Sequence, residues 1–119
     1  MSCAKFIAES FALRTATHLA HLSSKSYAQH IALDEFYSGL LDLVDKYAEV
    51  HMGLEGQVPL SRWPEVCPDP KEPITLLEDY LELLKEEFGE DAEYQSLINI
   101  LAEIEELTAR TLYKLRNLK

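Results

Sequence analysis

The chain has 119 residues, 47% of them hydrophobic, and a formal net charge of −10. That length accommodates one domain with a modest core, and the hydrophobic content is typical of a folded protein. The excess of 21 acidic over 11 basic residues repels a nucleic-acid backbone, and no stretch approaches the ~20 apolar residues of a membrane span. The two cysteines, Cys3 and Cys67, lie far apart and fit a reducing compartment. We therefore expect a cytoplasmic protein without a nucleic-acid or membrane partner.

Apolar residues recur at helical spacing in four segments of a single domain, which predicts an all-α protein. The predicted helices cover about residues 3–23, 26–52, 73–88 and 91–117. A serine-rich break separates the first two and offers N-cap side chains. Pro73 suits the first turn of the third helix, Gly89 is its expected stop, and Asp91 is the expected cap of the fourth.

The connection between the second and third helices, residues 53–72, contains two glycines and four prolines. That density of breakers excludes a long helix. We expect the segment to carry the chain along the bundle, so that the third helix runs parallel to the second, as in ferritin-like folds. Trp63 is expected to anchor the connection by packing.

Four side chains that bind transition metals share one face of the second helix. On a helical wheel, Asp34, Asp45 and Glu49 fall about 40°, 60° and 100° from His30. His30 and Asp45 are about 22 Å apart along the axis, so a single helix cannot close one site with all four. The same residues would also suit a solvated helix face, and the pattern alone leaves both interpretations open.

A twofold contact between two copies of this helix would bring the two halves together. The midpoint of residues 30 and 49 is the midpoint of residues 34 and 45, and it falls between Gly39 and Leu40. Antiparallel packing about that point places His30 and Asp34 of one chain beside Asp45 and Glu49 of the other. The sequence therefore predicts a homo-oligomer that crosses at Gly39 and Leu40, where glycine permits close approach.

The spacing of these residues resembles the Dps branch of the ferritin-like superfamily. The residues that carry the resemblance are His18, His30, Asp34, Asp45 and Glu49. Residues 30–37 resemble the family's His-x-x-x-Asp-x-x-Tyr segment, and residues 45–49 resemble its Asp-x-x-Ala-Glu segment. Small phage-encoded helical proteins carry a similar pattern. The resemblance implies a ferritin-like four-helix bundle with a long crossover between helices 2 and 3.

The same resemblance implies a function. It assigns His18, His30 and Asp34 of one chain and Asp45 and Glu49 of its partner as iron ligands, with zinc or manganese as alternative metals. The expected activity is oxidation of Fe(II) by peroxide or dioxygen, for storage or detoxification. The homo-oligomer would then extend to a larger shell.

Several positions depart from the family's pattern. Leu19 stands where Dps proteins have Trp, and Val50 stands where they have Arg. The chain is also shorter and lacks the basic tail linked to DNA binding. The resemblance therefore supports the metal site better than it supports assembly into a shell. His21, one turn after His18, is an additional candidate ligand, whereas His51 lies one turn beyond the site and is left out of it.

A second hypothesis from a different class remains open. The same fold and dimer would serve a non-enzymatic oligomeric binding protein, such as a phage protein that sequesters a small host molecule or partner. A virion or scaffold component is a third reading. Metal content and solution mass discriminate among them.

Overall fold

The computed structural model describes residues 2–69 and 71–119, and in these ranges the chain forms four α-helices, one short 3-10 helix and no strand. The helices are α1 (Ser2–Ser23), α2 (Tyr27–Glu55), α3 (Pro73–Glu90) and α4 (Gln95–Asn117), and the 3-10 helix is Leu60–Arg62. The predicted all-α class is confirmed. None of the helices in the described ranges is both long enough and apolar enough to cross a membrane.

Two of the helix ends differ from the prediction for a common reason. Ser26 caps α2 as expected, since its side chain accepts a hydrogen bond from the backbone N–H of Gln29 at 3.3 Å. However, α2 continues through Gly53 and α3 continues through Gly89. One glycine costs a helix only about 1 kcal/mol, which the packing of the rest of the helix can offset. Instead, α2 ends at Glu55 and Gly56 is its C-terminal cap, with a φ of 102° that favours glycine.

The start of the fourth helix also differs. Asp91 does not cap α4, because α4 begins at Gln95 and Tyr94 occupies the N-cap position. Asp91 is the C-terminal cap of α3, and its backbone N–H donates to the carbonyl of Glu87. Its side chain is buried in the bundle and does not cap the start of a helix.

Each helix packs against two others, in the circular order α1–α2–α4–α3. Ion pairs Lys114–Glu35 and Lys46–Glu103 show that α2 and α4 are antiparallel. The C-terminal ends of α2 and α3 meet at one end of the bundle, since His51 approaches Asp91. The two helices therefore run in the same direction, and residues 56–72 return the chain along the bundle, as the breaker-rich connection was expected to do.

Aromatic packing builds the core at the end where α2 and α3 finish. The ring of Phe6 meets Tyr47 edge-on at 5.2 Å and stacks on Tyr80 at 5.9 Å. The Tyr80 hydroxyl lies 2.7 Å from Ser10 Oγ, which satisfies both buried groups. Trp63 is partly buried against this core and anchors the connection.

Gly39 and Leu40 have different uses from the one expected. Leu40 is fully buried in the core, so it is not available to a second chain, and its assignment to a dimer crossing is wrong. A Cβ at Gly39 would lie 3.2 Å from Leu107 Cδ2, so this glycine allows α4 to pack closely on α2. The close approach that glycine permits is made within the chain.

This account of Gly39 predicts unequal effects of adding a methyl group to two helical glycines. Gly53→Ala should raise the free energy of unfolding by about 0.5–1 kcal/mol, because its Cβ meets open space and alanine is the better helix former. Gly39→Ala should give a smaller gain, because the Leu107 side chain must shift. Chemical denaturation measures both. Equal gains at the two sites would contradict the packing role of Gly39.

Candidate functional site

A buried polar cluster lies at the end of the bundle where α2 and α3 finish. It comprises Tyr47 and His51 of α2, Glu87 of α3 and Asp91, the C-terminal cap of α3, none more than 8% exposed. Residues four apart share a helix face, so each helix presents two members one turn apart. Because α2 and α3 are not neighbours in the circular order, the cluster reaches across the interior of the bundle.

The Tyr47 hydroxyl is the centre of this cluster. Its oxygen lies 2.6 Å from Glu87 Oε2, and it also makes a short hydrogen bond with Asp91 Oδ2. A hydroxyl has one proton and donates it to one strong acceptor. With both carboxylates ionised, one of the two close contacts would lack a hydrogen. The arrangement therefore requires an additional proton, or a cation, among these groups.

The pKa values locate protons in the cluster. Burial raises the pKa of the Glu87 carboxyl above its ordinary value of 4.5, and the charge of Asp91 adds to that shift, while the Tyr47 hydrogen bond opposes it. Burial and the hydrogen bond to Asp91 raise the pKa of Tyr47. Burial, followed by the charges of Glu87 and Asp91, raises the pKa of the nearby Cys3 thiol. The phenol and the thiol both keep their protons at neutral pH.

His51 completes the cluster but is poorly satisfied within it. Its Nε2 lies 3.4 Å from Asp91 Oδ1, which is long for a strong hydrogen bond. Its Nδ1 is buried and has no hydrogen-bond partner in the described part of the chain. Three possible ligand atoms, one each from His51, Glu87 and Asp91, lie within 4.8 Å of one another. Among the described residues, no other group of three His, Cys, Asp or Glu side chains does so.

The sequence interpretation missed this cluster, although a signal was present. His51 was excluded as lying beyond the α2 site, and Asp91 was given a capping role. The apolar stripe of α3 runs through Leu77, Tyr80 and Leu84, and the same spacing continues to Glu87 and Asp91. Carboxylates on the apolar stripe of a helix indicate a buried polar site.

The predicted ligands His18, His30 and Asp34, with the additional candidate His21, gather at the opposite end of α2. The rings of His21 and His30 stack at 3.6 Å. Nδ1 of His21 lies 2.7 Å from the His30 carbonyl oxygen, and Nδ1 of His30 lies 2.9 Å from the His21 carbonyl oxygen. Because a carbonyl only accepts, each Nδ1 donates, and each neutral ring keeps its lone pair on Nε2.

Tyr37 joins the other two members of this group. Its ring stacks on His18 at 4.1 Å. Its hydroxyl hydrogen bond to Asp34 raises the pKa of Tyr37. The structure therefore places His18, His30 and Asp34 around the α1–α2 corner, linked through Tyr37 and His21, but it does not bring the ligand atoms of all three within 4.8 Å of one another.

The remaining predicted ligands, Asp45 and Glu49, are exposed further along α2 and do not meet the others within one chain. This separation is what the sequence pattern requires of a site shared between two chains, and a second chain would have to supply the missing half. The intersubunit assignment stays a prediction.

The raised pKa of Glu87 predicts how stability responds to pH. A group with a raised pKa in the folded state contributes stability below its unfolded pKa, and that contribution is lost as pH rises through the folded one. The test is made in buffer that contains a metal chelator. As the pH rises above 4.5, the free energy of unfolding of the wild-type chain should fall relative to that of Glu87→Gln, by up to ~1.4 kcal/mol per pH unit.

Chemical denaturation at a series of pH values measures this difference. Glu86→Gln, an exposed neighbour on α3, should keep the wild-type dependence. Parallel pH profiles for the wild-type chain and Glu87→Gln would show that the buried carboxyl does not hold its proton in this way.

Comparison with known proteins places the chain among proteins of unknown role. An uncharacterized 14.6 kDa protein from the mobD-ri intergenic region of Enterobacteria phage T4 is 35% identical over 65 residues. That match covers 55% of this chain and 51% of the phage protein, so the chain spans about half the length of this relative. No solved structure matches the chain. Residues 21–115 match the model described as "Family of unknown function (DUF5856)", and the chain therefore belongs to the DUF5856 family.

Proposed function

We propose that this protein is a phage-encoded, ferritin-like protein of Dps type that binds Fe(II) as a substrate between two chains and oxidises it. The observation that carries the proposal is the face of α2 that bears Asp34, Asp45 and Glu49. The other helices of the chain leave this face uncovered, with Asp45 and Glu49 exposed and Asp34 half-buried. Because this face carries metal-binding side chains and no other part of the chain covers it, a second copy of the same face could pack on it and complete the site.

The topology supports the ferritin-like part of the proposal. Ferritin-like bundles have one long crossover, which carries the chain along the bundle between two helical hairpins. In this chain α2 and α3 run in the same direction and residues 56–72 connect them. The circular order α1–α2–α4–α3 is the one that such a crossover produces.

The uncovered face also supplies residues for a twofold contact. Ser38 and Leu41 are symmetric about the same midpoint as the ligand pairs, and both are exposed. Leu41 is 41% exposed and offers an apolar side chain near the centre of this face. We therefore place the crossing at Ser38 and Leu41, in place of Gly39 and Leu40. Tyr27, 79% exposed, is likewise symmetric with Met52 and would cover the outer margins.

The histidine pair at the corner gives the site a prepared ligand. Metal-binding histidines commonly donate their second ring N–H to a backbone carbonyl, which fixes the ring and its tautomer. The Nδ1 of His30 has this bond to the His21 carbonyl, so its Nε2 is left for iron. His21 holds His30 by stacking and remains an additional candidate ligand.

The chemistry requires binding of Fe(II) and compensation of charge. Two Fe(II) ions each lose one electron, and one hydrogen peroxide takes both electrons with two protons and leaves as two waters. Carboxylates from Asp34, Asp45 and Glu49 compensate the positive charge that iron gains, and imidazole and carboxylate together suit iron, zinc and manganese. The net charge of −10 draws cations toward the assembly.

The first test concerns assembly. Leu41→Glu should convert the oligomer to monomers, because it buries one carboxylate from each chain near the centre of the twofold contact. Sedimentation velocity measures the change, and Glu106→Gln, on the exposed side of α4, should leave the mass unaltered. A wild-type chain that is already monomeric at micromolar concentration would rule out the shared site.

The second test concerns iron. Asp45→Asn combined with Glu49→Gln should reduce the initial rate of Fe(II) oxidation by peroxide at least ~10-fold, because half of each site loses its charge. Stopped-flow absorbance of the ferric product measures the rate, with Glu105→Gln/Glu106→Gln as the matched control. Rates of the wild-type chain that equal the protein-free background would reject the ferroxidase function.

A cleft favours the alternative of a binding protein. It lies between α1, α3 and the connection, and its volume of about 520 Å³ is within the range of small-molecule sites. Its lining includes Lys5 and the acidic residues Glu9, Glu82 and Glu86, as well as Asp69 and Asp79, which pair with Lys71. A cationic small molecule would fit this lining. A metal-free dimer that binds such a molecule would favour this alternative over iron oxidation.

A further inference from the structure

The buried cluster of Tyr47, His51, Glu87 and Asp91 takes no part in the proposed intersubunit site. His51 follows Glu49 by two residues, a rotation of about 200°, so it faces the interior while Glu49 faces outward. The burial of the two residues agrees with these opposite directions, since His51 is 8% exposed and Glu49 is exposed to solvent. The cluster is therefore a separate feature of each chain.

We propose that each chain binds one divalent transition-metal ion inside the bundle, with His51, Glu87 and Asp91 as its ligands. Tyr47 lies beside these ligands and supplies a hydroxyl to the carboxylates. The proposal does not depend on the intersubunit iron site, because none of its ligands belongs to that site.

The distances within the cluster suit a metal. Ligand atoms around a four-coordinate ion are about 3.3–3.6 Å apart when each bond is about 2.0–2.2 Å long. The three ligand atoms of His51, Glu87 and Asp91 already lie within 4.8 Å of one another. Binding one ion would draw these three atoms closer together.

The charges within the cluster call for a cation. Glu87 and Asp91 are each 3% exposed, and burying two carboxylates without compensation is unfavourable. In the described ranges neither forms an ion pair with lysine or arginine, and only His51 approaches Asp91. A divalent ion between them balances both charges and relieves the shortage of protons around the Tyr47 oxygen.

The state of His51 is the second, independent observation. Its side chain is 10% exposed, and Nδ1 has no partner in the described part of the chain. Its Nε2 points at Asp91 from 3.4 Å without a short hydrogen bond. A buried imidazole beside two carboxylates, with only this one long contact, has ring nitrogens available to bind a metal ion.

The ligand types select the metal class. One imidazole nitrogen with two carboxylates suits zinc, iron and manganese, whereas calcium and magnesium favour sites of oxygen alone. Three protein ligands leave a fourth position for water or for the Tyr47 oxygen. Asp91 caps α3 beside the turn that leads to α4, so the cluster lies near the end of the bundle.

The experiment uses the full chain carrying Asp34→Asn, Asp45→Asn and Glu49→Gln, which takes the carboxylate ligands from both halves of the competing α2 site. Titration calorimetry with Zn²⁺ should give one ion per chain. His51→Gln and Asp91→Asn should each weaken that binding at least ~10-fold. Glu93→Gln, two residues from Asp91 but exposed, should bind as the parent does. No binding by the parent, or unchanged binding in both ligand variants, would overturn the proposal.

A second measurement covers variants that fail to fold. Crystals of the wild-type chain soaked in Zn²⁺ should show an anomalous peak within bonding distance of His51, Glu87 and Asp91. If no anomalous peak appears at that position, the proposal is overturned whatever the variants do. The iron oxidation assay separates the two proposals, because His51→Gln should leave oxidation at the α2 face unchanged.

Discussion

The hydrogen bonds of the Tyr47 hydroxyl to Glu87 and Asp91 are the interaction on which one end of this bundle depends. They join α2 to α3, which run in the same direction and do not pack directly side by side. A buried polar contact of this kind is highly specific, because its groups have no alternative partners in an apolar core. It therefore fixes how far α3 extends along α2, and the connection between the two helices is free to be irregular. Phe6 and Tyr80 close the apolar wall around it.

The other end of α2 is fixed by a different device. His21 and His30 bond to each other's backbone carbonyl and stack their rings, which locks the α1–α2 corner in one geometry. The exposed face of α2 runs between these two fixed ends. A rigid, straight face is what a symmetric contact between two chains needs, since identical surfaces must match along their length. Under the proposed function, the polar groups at the two ends of α2 have different tasks, one inside the chain and one toward a partner.

Helical periodicity, the serine cap and the breaker-rich connection were enough to predict the number and approximate ranges of the helices. The shared face of Asp34, Asp45 and Glu49 was also readable, because the angle between residues on one helix follows from spacing alone. The buried cluster was not, because it depends on which turn of α3 lies level with His51. That register is set by core packing across the bundle, which no local pattern contains. Gly39 shows the same limit, since its neighbour Leu107 is distant in sequence.

The central claim is that pairs of α2 helices share an iron site across a twofold axis. Diffraction at the iron edge from crystals of the iron-loaded protein tests it most directly. The account predicts α2 helices of two chains crossing at Ser38 and Leu41, with iron beside His30 and Asp34 at two equivalent positions. Chains that leave this face of α2 in solvent, with no iron on it, would contradict the account.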